Sequence, residues 1–361
     1  MRSFMPTKVF CGENCLILNK HLFKALGEKA LIVCGRSSAA ASGALDDVLA
    51  ALTDEGIRYE IYNGVLNNPT VLNAYEAGGK AAEFGADFII GIGGGSPLDA
   101  AKAAAVYATN RIEPMEIYGE TKNLPLPVAA IPTTAGTGSE VTPYSVLTID
   151  RENPKVTVKG DHMFPKLAFL DHRYTKSLPA DVAVHTALDA LSHAVESILC
   201  KRNSYISEYI AREAIGILGE EIENTLKYPI NPKSRERLLY ASMLAGVAIT
   251  HTGTTIIHSM GYSLTYFMDM PHGFANGALL PPFLRRAEKY APREAAKVFS
   301  AMHLPGIDEF CELISRLLPN IPKVSEEDAE MMANVSIKNK NILQNLWSVT
   351  KDDEKAMFLE I

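Results

Sequence analysis

Asp189 and His193 stand four residues apart in TALDALSHAVES, so on an α-helix their side chains share one face and lie side by side. Two more imidazoles follow: His258 in TTIIHSMGY, and His272 in MPHGFANG, where Pro271 and Gly273 predict a break between helices. One carboxylate and three imidazoles make a donor set for a borderline divalent ion, Fe(II) or Zn(II), with room left for a substrate oxygen. Taken singly, each histidine is more often a hydrogen-bonded core or surface residue. The surroundings favour the metal, because no Asp, Glu, Lys or Arg occurs between Arg237 and Asp269, and an ion supplies the partner that buried imidazoles and a buried carboxylate would otherwise lack. His251, seven residues before His258, falls on roughly the same helical face and competes for a place in the set. His162, His172 and His185 have no such setting.

A second chemistry is written in Gly91-Ile92-Gly93-Gly94-Gly95-Ser96-Pro97-Leu98-Asp99. This stretch follows an apolar β-type run and opens a helical one, the context in which backbone amides and a helix N-terminus bind phosphate. Successive glycines let a pyrophosphate approach the backbone. Ser96 suits an N-cap, Pro97 the first helical position and Asp99 the third position of a capping box. With Ser96 and Pro97 where they are, the pattern is not the usual G-x-G-x-x-G. A second polar loop, Pro132-Thr133-Thr134-Ala135-Gly136-Thr137-Gly138-Ser139-Glu140, follows the apolar run PVAAI. Ligands of open α/β sheets sit beyond the carboxyl ends of strands, so the two loops are placed to converge on one ligand.

The elements that must hold these residues divide into two kinds. ALIVCG, YEIYNG, DFIIGIGGG and PVAAIPTT alternate with helical stretches over 45–55, 71–84 and 97–108, and YSVLTI and KLAFLD add further strands. That βαβα rhythm predicts a doubly wound, Rossmann-like parallel sheet with helices on both faces. From Pro179, a candidate hinge, the pattern turns to long helical segments, over 181–200, 205–227, 234–250 and 256–266. The expected organisation is an α/β domain over 1–178 and an all-α domain over 179–361. At 361 residues, 47% hydrophobic, with a net charge of -7, the chain can build both cores but offers no basic footprint for nucleic acid or an anionic membrane. The uncharged stretch after Arg237 is long enough to span a bilayer, yet its histidines, threonines and serines predict buried helices instead. The first twenty residues lack a signal-peptide core, and the five cysteines lack a framework spacing, so reduced thiols and a cytoplasmic location are expected.

Taken together, GGGSPLDAAK, IPTTAGTGSEVT, DALSHAVE, HSMGYSLTYFMDMPHG and ANGALLP resemble the iron-containing (group III) alcohol dehydrogenases, over about residues 5–285. The resemblance implies a dinucleotide-binding α/β domain and a helical metal-binding domain, the architecture shared with dehydroquinate synthase. It implies hydride transfer between NAD(P)(H) and a small primary alcohol or aldehyde, the ion acting as Lewis acid toward the substrate oxygen. On the same basis Asp189, His193, His258 and His272 are the ligands, and Gly94, Gly95, Ser96, Asp99, Thr133, Thr134 and Thr137 line the cofactor. Asn68, Tyr144, Lys155 and Leu178 are implied as further cofactor contacts. Many members carry a histidine four residues after the third ligand; here that position is Tyr262, a candidate proton relay alongside water or the cofactor ribose. Where members preferring NAD often carry an acid after the first strand, this chain reads Cys34-Gly35-Arg36-Ser37-Ser38, which removes repulsion of a 2′-phosphate and offers Arg36 to pair with it, so NADP(H) is the expected partner. A homodimer or larger assembly is the family expectation. Rival readings on this fold are a zinc polyol dehydrogenase of the glycerol dehydrogenase type and a dehydroquinate synthase-like lyase, and outside enzymology a silent nucleotide-binding protein. The absence of Lys and Arg between residues 238 and 284 favours a small uncharged substrate over the lyase's anionic one.

Overall fold

A computed structural model describes residues 3–149 and 155–361. It divides into two compact units, Met5–Leu178 and Pro179–Ile361, the second also taking in Ser3 and Phe4. The attachment of Ser3 is specific: its hydroxyl lies 2.9 Å from His251 Nε2.

The first unit runs β1 (Lys8–Cys11), α1 (Cys15–Leu18), β2 (Lys29–Gly35), α2 (Ser38–Ala41), α3 (Ala44–Asp54), β3 (Arg58–Val65), α4 (Val71–Phe84), β4 (Phe88–Gly93), α5 (Gly95–Thr109), β5 (Val128–Pro132), β6 (Tyr144–Leu147), β7 (Val156–Lys159) and β8 (Leu167–Leu170). Six strands pair in the order β1-β8-β5-β4-β2-β3, every pairing parallel. Side chains alternate across a strand, and β2 displays the consequence: Ala30, Ile32 and Cys34 enter one core layer with Phe23 and Val48, while Leu31 and Val33 enter the other with Ala77 and Ala101. Both faces are covered, which is why these strands read as unbroken apolar runs. The chain passes from β2 to β3 on one side and then to β4 on the other, so the sheet reverses direction between β2 and β4. Two strands differ from expectation. YSVLTI does not join the main sheet; β6 pairs with β7 in a separate antiparallel ribbon. The main sheet instead gains β1 at its edge, from a segment whose mixed polarity carried no strand signal.

The second unit is built from α6 (Ala180–Ile198), α7 (Tyr205–Glu221), α8 (Pro232–Thr252), α9 (Ile256–Phe267), α10 (His272–Tyr290), α11 (Pro292–Ala301), α12 (Ile307–Leu317), α13 (Glu326–Ser336) and α14 (Lys351–Leu359). Helix α6 is its hub: from Ala187 to Ile198 every residue is buried, and α7, α8 and α10 pack around it. The helical stretch read over 205–227 is not continuous, because α7 stops at Glu221 and Ile222–Leu226 tightens to a 3-10 turn. Helix α8 starts as its sequence dictates, with Pro232 in the first turn and Asn231 accepting the Ser234 amide at 2.9 Å. Among the described residues no helix is long and apolar enough to cross a membrane.

Candidate active site

Three helices bring the chemistry-bearing residues of the second unit together. Asp189 and His193 lie buried on α6, His258 is the third residue of α9, and His272 opens α10 behind the N-cap Pro271. Glycine at 273 makes that convergence possible: a Cβ there would stand 2.0 Å from the carbonyl oxygen of His185, so only glycine lets the start of α10 lie flush on the backbone of α6. One carboxylate oxygen of Asp189 and one nitrogen each of His258 and His272 then lie within 4.8 Å of one another.

The spacing tests whether an ion fits. Asp189 Oδ1 is 3.6 Å from His258 Nε2 and 3.8 Å from His272 Nε2, too long for hydrogen bonds. Metal bonds of about 2.0–2.2 Å at roughly tetrahedral angles set neighbouring donors about 3.4 Å apart, so the three atoms have the separations of ligands on one ion. The charges agree. Burial opposes ionisation of Asp189, but the surrounding His193, His258 and His272 hold its carboxyl well below the usual range. Burial pulls His258 down, yet Glu196 and Asp189 raise it to about 9. Such a site favours positive charge. His193 stands apart from the three-atom group: its ring stacks on that of His258, with centroids 4.4 Å apart. Tyr262 stacks on His272 at 5.3 Å and meets His258 edge-on at 6.4 Å. The competitor His251 is occupied elsewhere, its Nδ1 donating to the Val247 carbonyl at 2.8 Å and its Nε2 accepting from Ser3.

In the first unit some of the residues read as cofactor contacts follow the carboxyl ends of β2, β4 and β5, while Asn68 follows β3, Tyr144 opens β6 and Lys155 precedes β7. Gly35 ends β2, with Arg36 and Ser37 exposed beyond it; Gly94, Gly95 and Ser96 follow β4; Thr133 and Thr134 follow β5. The last two loops are tied directly, the Thr133 amide donating to the Gly93 carbonyl at 2.9 Å. Any Cβ on Gly95 would meet the Thr137 side chain at 2.8 Å, so a side chain there would force Thr137 to shift. The expected capping box is not formed. Helix α5 begins at Gly95 with Gly94 as its cap, which places Ser96 and Pro97 inside the first turn and Asp99 beyond it. Asp99 instead binds α5 to its neighbours, accepting from Ser139 Oγ at 2.5 Å and the Val146 amide at 2.9 Å. Lys102, wholly buried, donates to the Tyr144 carbonyl at 2.5 Å and the Thr142 carbonyl at 3.2 Å; burial lowers its pKa against the pull of Asp99. Lys155 Nζ donates to Asn68 Oδ1 at 2.6 Å, joining two further predicted contacts, and Leu178 closes the unit.

Residues 6–172 match the model for iron-containing alcohol dehydrogenases, and residues 183–361 match the C-terminal model of the Fe-containing alcohol dehydrogenase family. The chain belongs to the iron-containing alcohol dehydrogenase family. It is 32% identical over 361 residues to the 1,3-propanediol dehydrogenase of Citrobacter freundii, covering 94% of this chain and 93% of that one. It is 30% identical over 332 residues to the NADPH-dependent butanol dehydrogenase of Clostridium saccharobutylicum, covering 88% and 83%. Among solved structures, an iron-containing alcohol dehydrogenase from Thermotoga maritima superimposes with a TM-score of 0.92 at 35% identity, covering 100% of this chain and 99% of that one. As an iron-containing alcohol dehydrogenase, the protein is an NAD(P)-linked oxidoreductase of alcohols and aldehydes.

Two polar residues of this iron-containing alcohol dehydrogenase escape a reading of its sequence for ligands. Glu196, fully buried on α6, accepts from the amides that open α9 and pairs with His258 Nδ1. Asn276, four residues after His272 on α10, directs its amide nitrogen to Asp189 Oδ1 at 2.8 Å and to the Nε2 atoms of His258 and His272 at 3.2 Å each. Helical spacing carried the signal for both: Glu196 is seven residues from Asp189, and Asn276 four from His272.

Proposed function

We propose that Asp189, His193, His258 and His272 hold one divalent ion, Fe(II) or Zn(II), in a helical domain over 179–361, and that the protein reduces small uncharged aldehydes, or oxidises the matching primary alcohols, with NADP(H) preferred. The convergence of Asp189, His258 and His272 donor atoms within 4.8 Å carries the reading. His193, stacked on His258, supplies the fourth donor. Bound there, the ion supplies Lewis acidity at the substrate oxygen. Asp189 and the imidazoles orient that oxygen, and the aromatic face of Tyr262 beside His272 walls the position and relays the hydroxyl proton from its phenol. The stretch from 238 to 268 that carries His258 offers no Lys or Arg to pair with an anionic substrate.

In the α/β domain over 1–178, the loops after β4 and β5 cradle the cofactor, with Gly94, Gly95, Ser96, Thr133, Thr134 and Thr137 along its phosphates and nicotinamide ribose. Asp99 acts there by fixing α5 against Ser139 and Val146. Their place beyond the carboxyl ends of β4 and β5, next to the switch between β2 and β4, is where such sheets bind dinucleotides. Asn68, paired with Lys155, Tyr144 and Leu178 complete the site. At the end of β2, Gly35 and Ser37 leave room for a 2′-phosphate and the exposed Arg36 pairs with it bidentately; one relative is itself named as NADPH-dependent. A homodimer and a cytoplasmic location complete the reading.

The test is the initial rate of NADPH and NADH oxidation with a panel of short aldehydes, on chelator-stripped protein with and without Fe(II) or Zn(II). Metal-dependent turnover, faster with NADPH, is expected. Failure with every metal and aldehyde, in protein that still binds the cofactor, would overturn the substrate assignment.

A further inference from the structure

We propose that Glu196 is a positioning residue for the metal centre: it holds the proton of His258 on Nδ1 and so leaves Nε2 as the donor facing Asp189. The inference rests on the reading of Asp189, His193, His258 and His272 as the ligands.

Glu196 is a wholly buried carboxylate on α6, with no lysine or arginine between residues 238 and 284 of the helices packed around its partners. Its two oxygens divide their tasks. Oε1 accepts from the Thr255 amide at 3.0 Å, the Thr255 hydroxyl at 2.8 Å, the Ile257 amide at 2.8 Å and, more weakly, the His258 amide at 3.4 Å. It thereby serves as the N-terminal cap of α9, which has none from its own N-cap residue Thr255. Oε2 faces His258 Nδ1. As a carboxylate Glu196 can only accept, so in this pairing it holds the hydrogen of the contact on Nδ1. In the neutral ring the lone pair is then on Nε2, the atom 3.6 Å from Asp189 Oδ1. An anionic acceptor behind a ligating imidazole also makes its free nitrogen more basic, and losing such a partner typically weakens metal binding roughly 10–100-fold. One buried side chain thus sets both where α9 begins and which nitrogen of its third residue looks into the site.

Glu196→Gln separates the two tasks. The amide oxygen can still accept from the α9 amides, but the amide nitrogen turned toward Nδ1 can only donate. That would favour the His258 tautomer with hydrogen on Nε2, whose lone pair points away from the site. The experiment measures Zn(II) and Co(II) affinity of chelator-stripped full-length protein by competition with a chromophoric chelator, together with the visible absorption of the Co(II) form. Expected is a loss of affinity of about 10–100-fold in Glu196→Gln, with an altered Co(II) spectrum and an intact helical circular dichroism. Glu196→Asp, still accept-only, should fall closer to wild type, and Thr255→Ala, which weakens the cap without touching Oε2, should bind metal within about twofold of wild type. Wild-type affinity and spectrum in Glu196→Gln, with binding still lost in His258→Ala and His272→Ala, would overturn the role of Glu196 and leave the ligand set standing. Wild-type affinity in His258→Ala and His272→Ala would overturn the ligand set itself. Independently of whether the Glu196 variants fold, 15N NMR of histidine-labelled, Zn(II)-loaded wild type, assigned against His258→Ala, should show His258 bound through Nε2 with hydrogen on Nδ1. Binding through Nδ1 would refute the proposal.

Discussion

Gly273→Ala is the sharpest probe of how the three helices assemble the centre. The added Cβ would stand 2.0 Å from the His185 carbonyl oxygen, 2.6 Å from its carbon and 3.2 Å from Asp189 Cβ. The first two are backbone atoms of α6, so no side-chain rotation relieves the clash. To open the shortest contact from 2.0 Å to the 3.0 Å below which real Cβ contacts essentially do not occur, the start of α10 must retreat by about 1 Å, carrying His272 with it. Metal bonds tolerate only about 0.2 Å of misplacement, and a displacement of about 1 Å at a reacting centre costs on the order of 100-fold in rate. Overpacking itself costs about 1–3 kcal/mol, or roughly 2–4 °C of melting temperature per kcal/mol for domains of this size. Calorimetry on stripped and metal-loaded protein separates the two effects. The stripped variant should melt a few degrees lower, and added metal should raise its melting temperature less than it raises that of wild type. A Gly273→Ala protein with wild-type melting and wild-type metal response would refute the close approach of α10 to α6.

Other consequences follow from individual side chains. Arg36→Ala should raise the KM for NADPH about 10-fold or more, from the loss of a charged hydrogen-bonded pair of about 1.5–3 kcal/mol, while leaving NADH little changed; equal effects on both cofactors would remove Arg36 from the 2′-phosphate site. His251→Ala should lower stability through loss of its bonds to Val247 and Ser3 without reducing metal content, which atomic emission would check; metal loss would return it to the ligand set. Glu354, buried and accepting from Ser336, has its pKa raised by burial from 4.5 to about 7. Between those values the folded state holds a proton that the unfolded state has released, so the contribution of Glu354 to stability is greatest below about pH 4.5 and falls as pH rises toward 7, by up to about 3 kcal/mol. Melting temperatures from pH 5 to 8 should show a shallower decline in Glu354→Gln, and identical slopes would contradict this.

Much of this was legible because periodicity is a local property. The i, i+4 spacing of Asp189 and His193 and the apolar runs of β2, β4 and β5 follow from side-chain geometry alone, and α6 and the parallel sheet appear where that geometry puts them. What was not legible depends on partners distant in sequence. Asp99 looked like a capping residue, since the sequence around it fits a capping box; its carboxylate is drawn away by Ser139 and Val146, 40 and 47 residues on. Glu196 sits inside the ligand motif, yet its task becomes visible only once α9 begins against it, 59 residues later. Strand β1 lies at the sheet edge beside β8 alone, where its side chains stay exposed or half-buried and so it lacks the apolar run that marks the central strands.

The most direct test of the central claim is bound metal per chain and aldehyde turnover, measured together in wild type and His272→Ala after stripping and reloading with Fe(II) or Zn(II). One ion per chain with full turnover in wild type, and neither in His272→Ala, is the predicted result. A His272→Ala protein that is both metal-replete and active would contradict it.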